Sequence, residues 1–266
     1  MLEITLPDLP PPFAVGRTAE IYPWEDDQVL KLFFTWFSLE NIEYEQRINN
    51  AVYTSGLPVP RVGDIVRVNE SYGLFYKRVY GAAMGEVLPQ KPWLLQRYAR
   101  RLAELHVEMH SRSIQADIPL QKQKLLYKIR HAPQLLAHLQ SKILVALEEM
   151  PDGDRLCHGD FHPGNIMITE HNEVIIDWID SSSGNPLADV ARTSIIALEE
   201  VESNRIGYKV ERALISLFHS AYIRKYFKLR PGGEDEYRRW LPIVAAARVE
   251  ENITKVQAWL LSQVAS

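Results

Sequence analysis

The chain has 266 residues, 46% of them apolar and 24% charged, with a net charge of −4. That balance excludes a disordered chain and leaves room for a substantial core, as one domain or two closely packed lobes, while the charge gives no electrostatic case for nucleic acid. The single cysteine, Cys157, excludes an intrachain disulfide and suits a reducing compartment, and no apolar run reaches membrane-spanning length. Residues 1–6 lack the basic start and apolar stretch of an export signal, so the expectation is a cytoplasmic protein with no membrane partner.

In chain order, the prolines of 7–12 read as an extended lead-in, and 13–16 and 21–23 as strands around a turn at 16–20. Residues 28–34 form an apolar strand interrupted by Lys31. A lysine in such a run either reaches solvent from an edge strand or has an anionic partner, because an unpaired buried ammonium is costly. The next segment supplies candidates. Residues 38–54 read as a helix started by Ser38, and Ile42, Glu45, Ile48 and Val52 recur at spacings of three and four. Glu45 therefore sits on the apolar stripe and wants a cation, for which Lys31 is available; Glu40 and Glu43 are alternative partners for that lysine.

Two further strands are expected at 63–67 and 72–80. From Pro92 the pattern turns helical, with Leu95, Tyr98, Leu102, Leu105 and Met109 on one stripe. His106 and His110 lie four apart, but no third ligand accompanies them, and packing or capping is the expected role. A long helical stretch then runs to Met150 with a break near Pro133, and 151–154 make a turn. Everything from Leu187 onward reads as helical, broken near 202–204 and 230–233.

Between these helical stretches lies the segment that carries chemistry. His158-Gly159-Asp160-Phe161-His162-Pro163-Gly164-Asn165 is followed by 166–168 and 174–176, two apolar runs that read as a hairpin ending at Asp177. Pro163 and Gly164 break regular structure, so Asp160 and Asn165 can face one pocket, and the hairpin would return Asp177 towards Asn165. An aspartate that accepts a hydroxyl proton, with two hard oxygen ligands for ions bridging nucleotide phosphates, is the set that magnesium-assisted phosphoryl transfer requires. Asp160 is the expected base and Asn165 and Asp177 the expected metal ligands, with His158 orienting the loop. A rival reading takes Cys157, His158, Asp160 and His162 as zinc or iron ligands, but it leaves Asn165 and Asp177 unexplained.

The same strings, with Ile176-Asp177-Trp178 and then Gly184-Asn185-Pro186-Leu187-Ala188-Asp189-Val190-Ala191, resemble the aminoglycoside phosphotransferase and choline kinase family, small-molecule kinases of the protein-kinase-like fold. The resemblance implies an α+β, bilobal architecture: a small N-terminal antiparallel sheet lobe with one helix at 1–78, binding nucleotide, and a larger, mainly helical lobe at 79–266 for catalysis and acceptor binding. It further implies that the turn with Gly16, Thr18 and Ala19 covers the triphosphate, that Lys31 held by Glu45 reaches the α and β phosphates, that backbone near 77–81 reads the nucleobase, and that Asp189 braces the catalytic loop. ATP with Mg2+ is the expected cofactor pair; backbone recognition of the nucleobase leaves no side-chain mark that separates GTP from ATP.

Only a short gap separates Asp177 from Asp189, no Phe-Gly follows Asp177, and position 159 is glycine. A long regulated segment for peptide substrates cannot fit there, so the acceptor is expected to be a small molecule. Asp180 and Arg192 are candidates for acceptor contact, and Tyr237, Trp240 and Trp259 for pocket walls. From Arg192 onward Lys and Arg outnumber Asp and Glu, which argues against an acidic pocket for a polycationic antibiotic. A non-catalytic nucleotide sensor or scaffold of the same fold is the alternative function; oligomeric state is not legible.

Overall fold

Residues 28–33 alternate between two buried surfaces, and the first of two compact units is built around them. A computed structural model describes residues 3–4, 9–25, 27–114, 118–203 and 209–265; the expectation at 5–8 lies outside them. The first unit comprises Met1–Ala83 with Ile166–Ile179, the second Met84–Asn165 with Asp180–Ser266.

The first unit holds strands β1 (Glu3–Ile4), β2 (Ala14–Val15), β3 (Ala19–Trp24), β4 (Gln28–Phe33), β5 (Val62–Val68) and β6 (Ser71–Lys77), and helix α1 (Leu39–Tyr53). They form one sheet in the order β1-β5-β6-β4-β3-β2, antiparallel except where β1 joins β5 in parallel. Leu30 and Leu32 pack on one face with Tyr22, Val66, Val68 and Phe75. Phe33 packs on the other with Ala19, Val62, Leu74 and Ile42 of α1. Strand alternation therefore turns Lys31 to the face that α1 covers. Ser38 caps α1, its Oγ accepting the Asn41 N–H at 3.3 Å, and Ile42, Glu45, Ile48, Asn49 and Val52 are its buried residues. A short sheet completes the unit: β7 (Ala82–Ala83), β9 (Ile166–Ile168) and β10 (Glu173–Ile175), with β9 and β10 antiparallel and β7 pairing β9. Ile175 donates its N–H to Pro58 O at 2.9 Å, tying this hairpin to the loop before β5.

The second unit contains α2 (Met84–Gln90), α3 (Leu95–Met109), α4 (Gln121–Arg130), α5 (Ala137–Glu149), α6 (Pro186–Ser203), α7 (Lys209–Leu229), α8 (Glu234–Val249) and α9 (Gln257–Ala265). The long helical stretch expected up to Met150 is two helices, parted at 131–136 around Pro133, and a further break separates α8 from α9. In α3, Leu95, Ala99, Leu102, Ala103, Leu105, His106 and Met109 are buried, against α7 among other neighbours. A two-stranded ribbon, β8 (Arg155–Cys157) and β11 (Ser182–Gly184), pairs Cys157 with Ser182 and frames the loop that begins at His158. Pro186 opens α6, where its missing N–H is no loss, and Asn185 Oδ1 accepts the Leu187 N–H at 2.9 Å. Tyr237 and Trp240 are core residues of α8, whereas Trp259 is half-buried.

Candidate active site

Lys31 lies on an interior strand, between β3 and β6, so the edge-strand explanation for it does not hold. Its ammonium donates to Glu45 Oε1 at 2.7 Å and stands 3.8 Å from Asp177 Oδ1. Tyr76 donates its hydroxyl to the same Glu45 oxygen at 2.6 Å, and Asn49 Nδ2 gives bonds to Tyr76 Oη and to the Glu45 carbonyl. Burial would lower the Lys31 pKa, but the Glu45 and Asp177 carboxylates outweigh it and raise it, so the ammonium stays charged. Glu40 and Glu43, the alternative partners, are exposed. Asp177 sits in the left-handed region at φ 64°, unusual for a residue with a side chain, and its carboxylate is 44% exposed. In the turn after β2, Gly16 donates its N–H to Ala19 O at 2.8 Å, so its amide closes the turn, while Thr18 O accepts from Phe34.

The second unit holds the loop from His158 to Asn165, and α6 grips it from one face. Asp189, Arg192 and Thr193 are three and four residues apart and so project together. Asp189 accepts the N–H groups of His158 and Gly159 at 2.7 and 2.8 Å; Arg192 Nε donates to Gly159 O at 3.0 Å, and Thr193 Oγ1 to Phe161 O at 2.8 Å. Gly159 adopts φ +81°, and a Cβ there would lie 2.5 Å from the Asp180 carbonyl oxygen, so the loop path admits only glycine. His158 Nδ1 accepts the Asp160 N–H at 3.2 Å, and Asn165 Nδ2 donates to Asp160 O at 2.9 Å and Oδ2 at 3.4 Å. His162 Nδ1 accepts the Gly164 N–H at 3.0 Å, so in the neutral ring the proton resides on Nε2, 3.4 Å from Asp160 Oδ2. Burial pushes the Asp160 carboxyl up, but the His162 hydrogen bond and the charges of Arg192, His162 and His158 hold it far below the usual range.

Behind the loop, Asp189 is the third group that His106 and His110 were expected to lack. Both histidines aim Nε2 at its Oδ2, at 3.1 and 3.2 Å, and receive the Tyr222 and Tyr226 hydroxyls on Nδ1 at 2.6 and 2.8 Å. The three lie within metal-ligand reach of one another, yet these pairings give each ring nitrogen and both Asp189 oxygens a hydrogen bond, so the cluster reads as a sealed brace. Burial, then the neighbouring His110 charge, takes the His106 pKa down to about 4, keeping the ring neutral. Burial also pushes the Cys157 thiol well up, and its Sγ leans on Asn185 O; the rival metal set around it does not assemble among the described residues.

Beside Gly159 a cavity of about 50 Å3 is lined by Lys124 and Lys128 of α4, Asp180 and Arg192, among others. Lys124 donates to Asp180 O at 2.7 Å and Oδ1 at 3.3 Å, and Glu251 Oε1 takes Lys128 at 3.1 Å and Arg192 at 2.7 Å.

Residues 12–230 match the model of the phosphotransferase enzyme family. The chain belongs to that family. No curated protein sequence matches it. Among solved structures, an amicoumacin kinase in complex with AMP-PNP and Ca2+ is similar over 99% of this chain and 88% of its own, at 13% identity and TM-score 0.64. A choline/ethanolamine kinase family protein from Mesorhizobium loti is similar over 94% and 85%, at 15% identity and TM-score 0.60. A type VIII aminoglycoside-3'-phosphotransferase covers 91% and 90%, at 17% identity and TM-score 0.57. These likenesses show the fold, the protein-kinase-like α+β architecture expected from the motifs. Family membership carries the enzyme class, a small-molecule phosphotransferase with an alcohol group as acceptor.

Of the residues singled out in this phosphotransferase, Lys31, Glu45 and Asp177 come together in the first unit, and His158, Asp160 and Asn165 in the second, where Asp180 and Arg192 share the cavity wall. Sequence reasoning missed Tyr76 and Thr193, which carry no motif of their own. It also missed Lys124 and Lys128, whose spacing of four within a helical pattern was a legible signal of a shared face. No helix among the described residues is long and apolar enough to cross a membrane.

Proposed function

We propose that the chain is an ATP-dependent kinase that moves the γ-phosphate to a hydroxyl of a small molecule, with Asp160 as the group that orients and deprotonates that hydroxyl. The observation that carries this reading is the ionised Asp160 carboxylate, aimed by hydrogen bonds from Asn165 and His162 on a loop that α6 clamps. A carboxylate held so far below its usual range is a weak base towards a free alcohol. Its contribution is therefore orientation first, with proton uptake late in transfer, in keeping with chemistry governed by positioning and charge.

The donors that each unit offers are of the kind that Mg2+ with a nucleotide takes. Asn165 commits its Nδ2 protons to Asp160, which leaves the amide oxygen as a hard ligand, and Asp177 offers an exposed carboxylate. Lys31, kept charged by Glu45, is suited to the α and β phosphates, and the turn bearing Gly16, Thr18 and Ala19 would cover them. Mg2+, when bound, would neutralise charge on the transferring phosphoryl group. In this scheme residues 1–78 serve the nucleotide, with ATP and GTP both compatible, and 79–266 bring the catalytic group, the acceptor site and the metal ligands Asn165 and Asp177, the last of these within the first compact unit. Cytoplasmic residence accords with the lone buried thiol.

Asp160→Asn tests the assignment. The variant should bind ATP with unchanged affinity by calorimetry while transfer, read as ADP release with a responsive acceptor, falls about 10²–10⁴-fold. Undiminished turnover would remove Asp160 from its role. Nucleotide binding with no transfer by the unaltered chain, over a broad acceptor panel, would instead favour the sensor or scaffold.

A further inference from the structure

We infer that the hydroxyl acceptor carries an anionic group, a carboxylate or a phosphate, that docks on Lys124, Lys128 and Arg192 in the cavity beside the Asp160 loop. The inference rests on the kinase reading and names the acceptor class for that site.

Most of the polar groups that this cavity leaves uncommitted are donors. Lys124 directs its two hydrogen bonds to Asp180, and Lys128 gives one to Glu251, each ammonium having three protons to offer. Arg192 uses Nε on Gly159 O and Nη2 on Glu251, two of its five N–H groups. The acceptors are largely engaged, Asp180 Oδ2 being the lining carboxylate oxygen without such a bond. Asp180 lies 3.3 Å from Lys124 and 3.8 Å from Lys128, and the other lining carboxylate, Asp189, holds His158, Gly159, His106 and His110. An incoming ammonium would face three cations and one uncommitted carboxylate oxygen, Asp180 Oδ2. An incoming carboxylate or phosphate would take the spare protons and relieve the repulsion between Lys124 and Lys128. Burial outweighs the Asp180 carboxylate and, with the Lys128 charge adding to it, leaves the Lys124 pKa lowered, so an added anion would favour the charged ammonium.

Position agrees with charge. Gly159, which lines the cavity, immediately precedes Asp160, so an anion seated there would place a hydroxyl a few bonds away near the base. About 50 Å3 accommodates a head group of carboxylate or phosphate size, not a ring system.

The test uses the full chain and four three-carbon alcohols that differ in charge: glycerol, glycerate, glycerol 3-phosphate and 3-aminopropane-1,2-diol. Binding is measured by calorimetry, and ADP release with ATP and Mg2+ alongside it. The anions should bind more tightly than the neutral and cationic members, and glycerate against glycerol 3-phosphate separates carboxylate from phosphate recognition. Lys124→Met and Lys128→Met should each weaken anion binding about tenfold, with ATP affinity unchanged and Lys124→Arg recovering most of the loss. Equal or tighter binding of the neutral or cationic alcohol, no binding by either anion, or anion affinity within about twofold of the original in both methionine variants would overturn the inference. Turnover of the cationic member alone would sink the anion site and leave the kinase standing. Failure to bind ATP would sink the kinase reading, while the anion binding is still read.

Discussion

Lowering the pH from 7 to 5 should loosen the buried brace behind the Asp160 loop. Burial, then the His110 charge, depresses the folded-state pKa of His106 from 6.5 to about 4. The unfolded chain thus takes up this proton first, and the stability contributed by a neutral His106 is fully present above pH 6.5 and disappears as the pH falls towards 4. The full difference corresponds to about 3 kcal/mol, of which roughly 2 kcal/mol is already gone at pH 5. His110 and His219 have pKa values lowered by burial as well and add to the loss with the same sign, whereas Asp189, held well below the usual carboxylate range chiefly by the two histidine hydrogen bonds against its burial, stays ionised throughout. His106→Gln keeps an N–H for Asp189 and cannot titrate. Urea unfolding of both proteins at pH 7, 6 and 5, with fluorescence and circular dichroism required to coincide, gives the free energies. The original chain should lose about 2 kcal/mol or more by pH 5, and the variant about 2 kcal/mol less than that. Parallel curves for the two proteins would refute the assignment of a neutral, buried His106.

Two other perturbations bear on the candidate site. Glu45→Gln keeps a hydrogen-bond acceptor near Lys31 and Tyr76 but removes the charge that compensates a lysine only 16% exposed, so the KM for ATP should rise about tenfold in steady-state assays with little change in the acceptor KM. Gly159→Ala forces a Cβ to within 2.5 Å of the Asp180 carbonyl at a backbone angle that side chains disfavour; it should cost about 1–3 kcal/mol in thermal or urea unfolding and reduce turnover while sparing ATP binding.

Much of the candidate site's geometry was legible because several of its residues are local in the chain. Asp160 and Asn165 lie five residues apart on a loop that Pro163 and Gly164 keep out of helix, and Glu45 betrayed itself by sitting on an apolar stripe. The Lys31 partner could be nominated, not selected, from sequence: choosing Glu45 over Glu40 and Glu43 required knowing that strand alternation turns Lys31 towards the buried face of α1. Tyr76, thirty-one residues from Glu45, could be found only once β6 lay beside β4.

What the sequence determined by itself was the kind of the longer helices and strands, the family, and a set of candidate oxygen and nitrogen groups, because periodicity and short-range spacing are properties of neighbouring residues. Only the tertiary structure decided which distant groups meet: that 166–179 packs with the first unit, that Asp189 gathers two backbone amides and two imidazoles, and that Lys124, Lys128 and Arg192 share one cavity wall. Such meetings depend on how helices and strands stack, and a buried charge reveals its role only when its partners surround it.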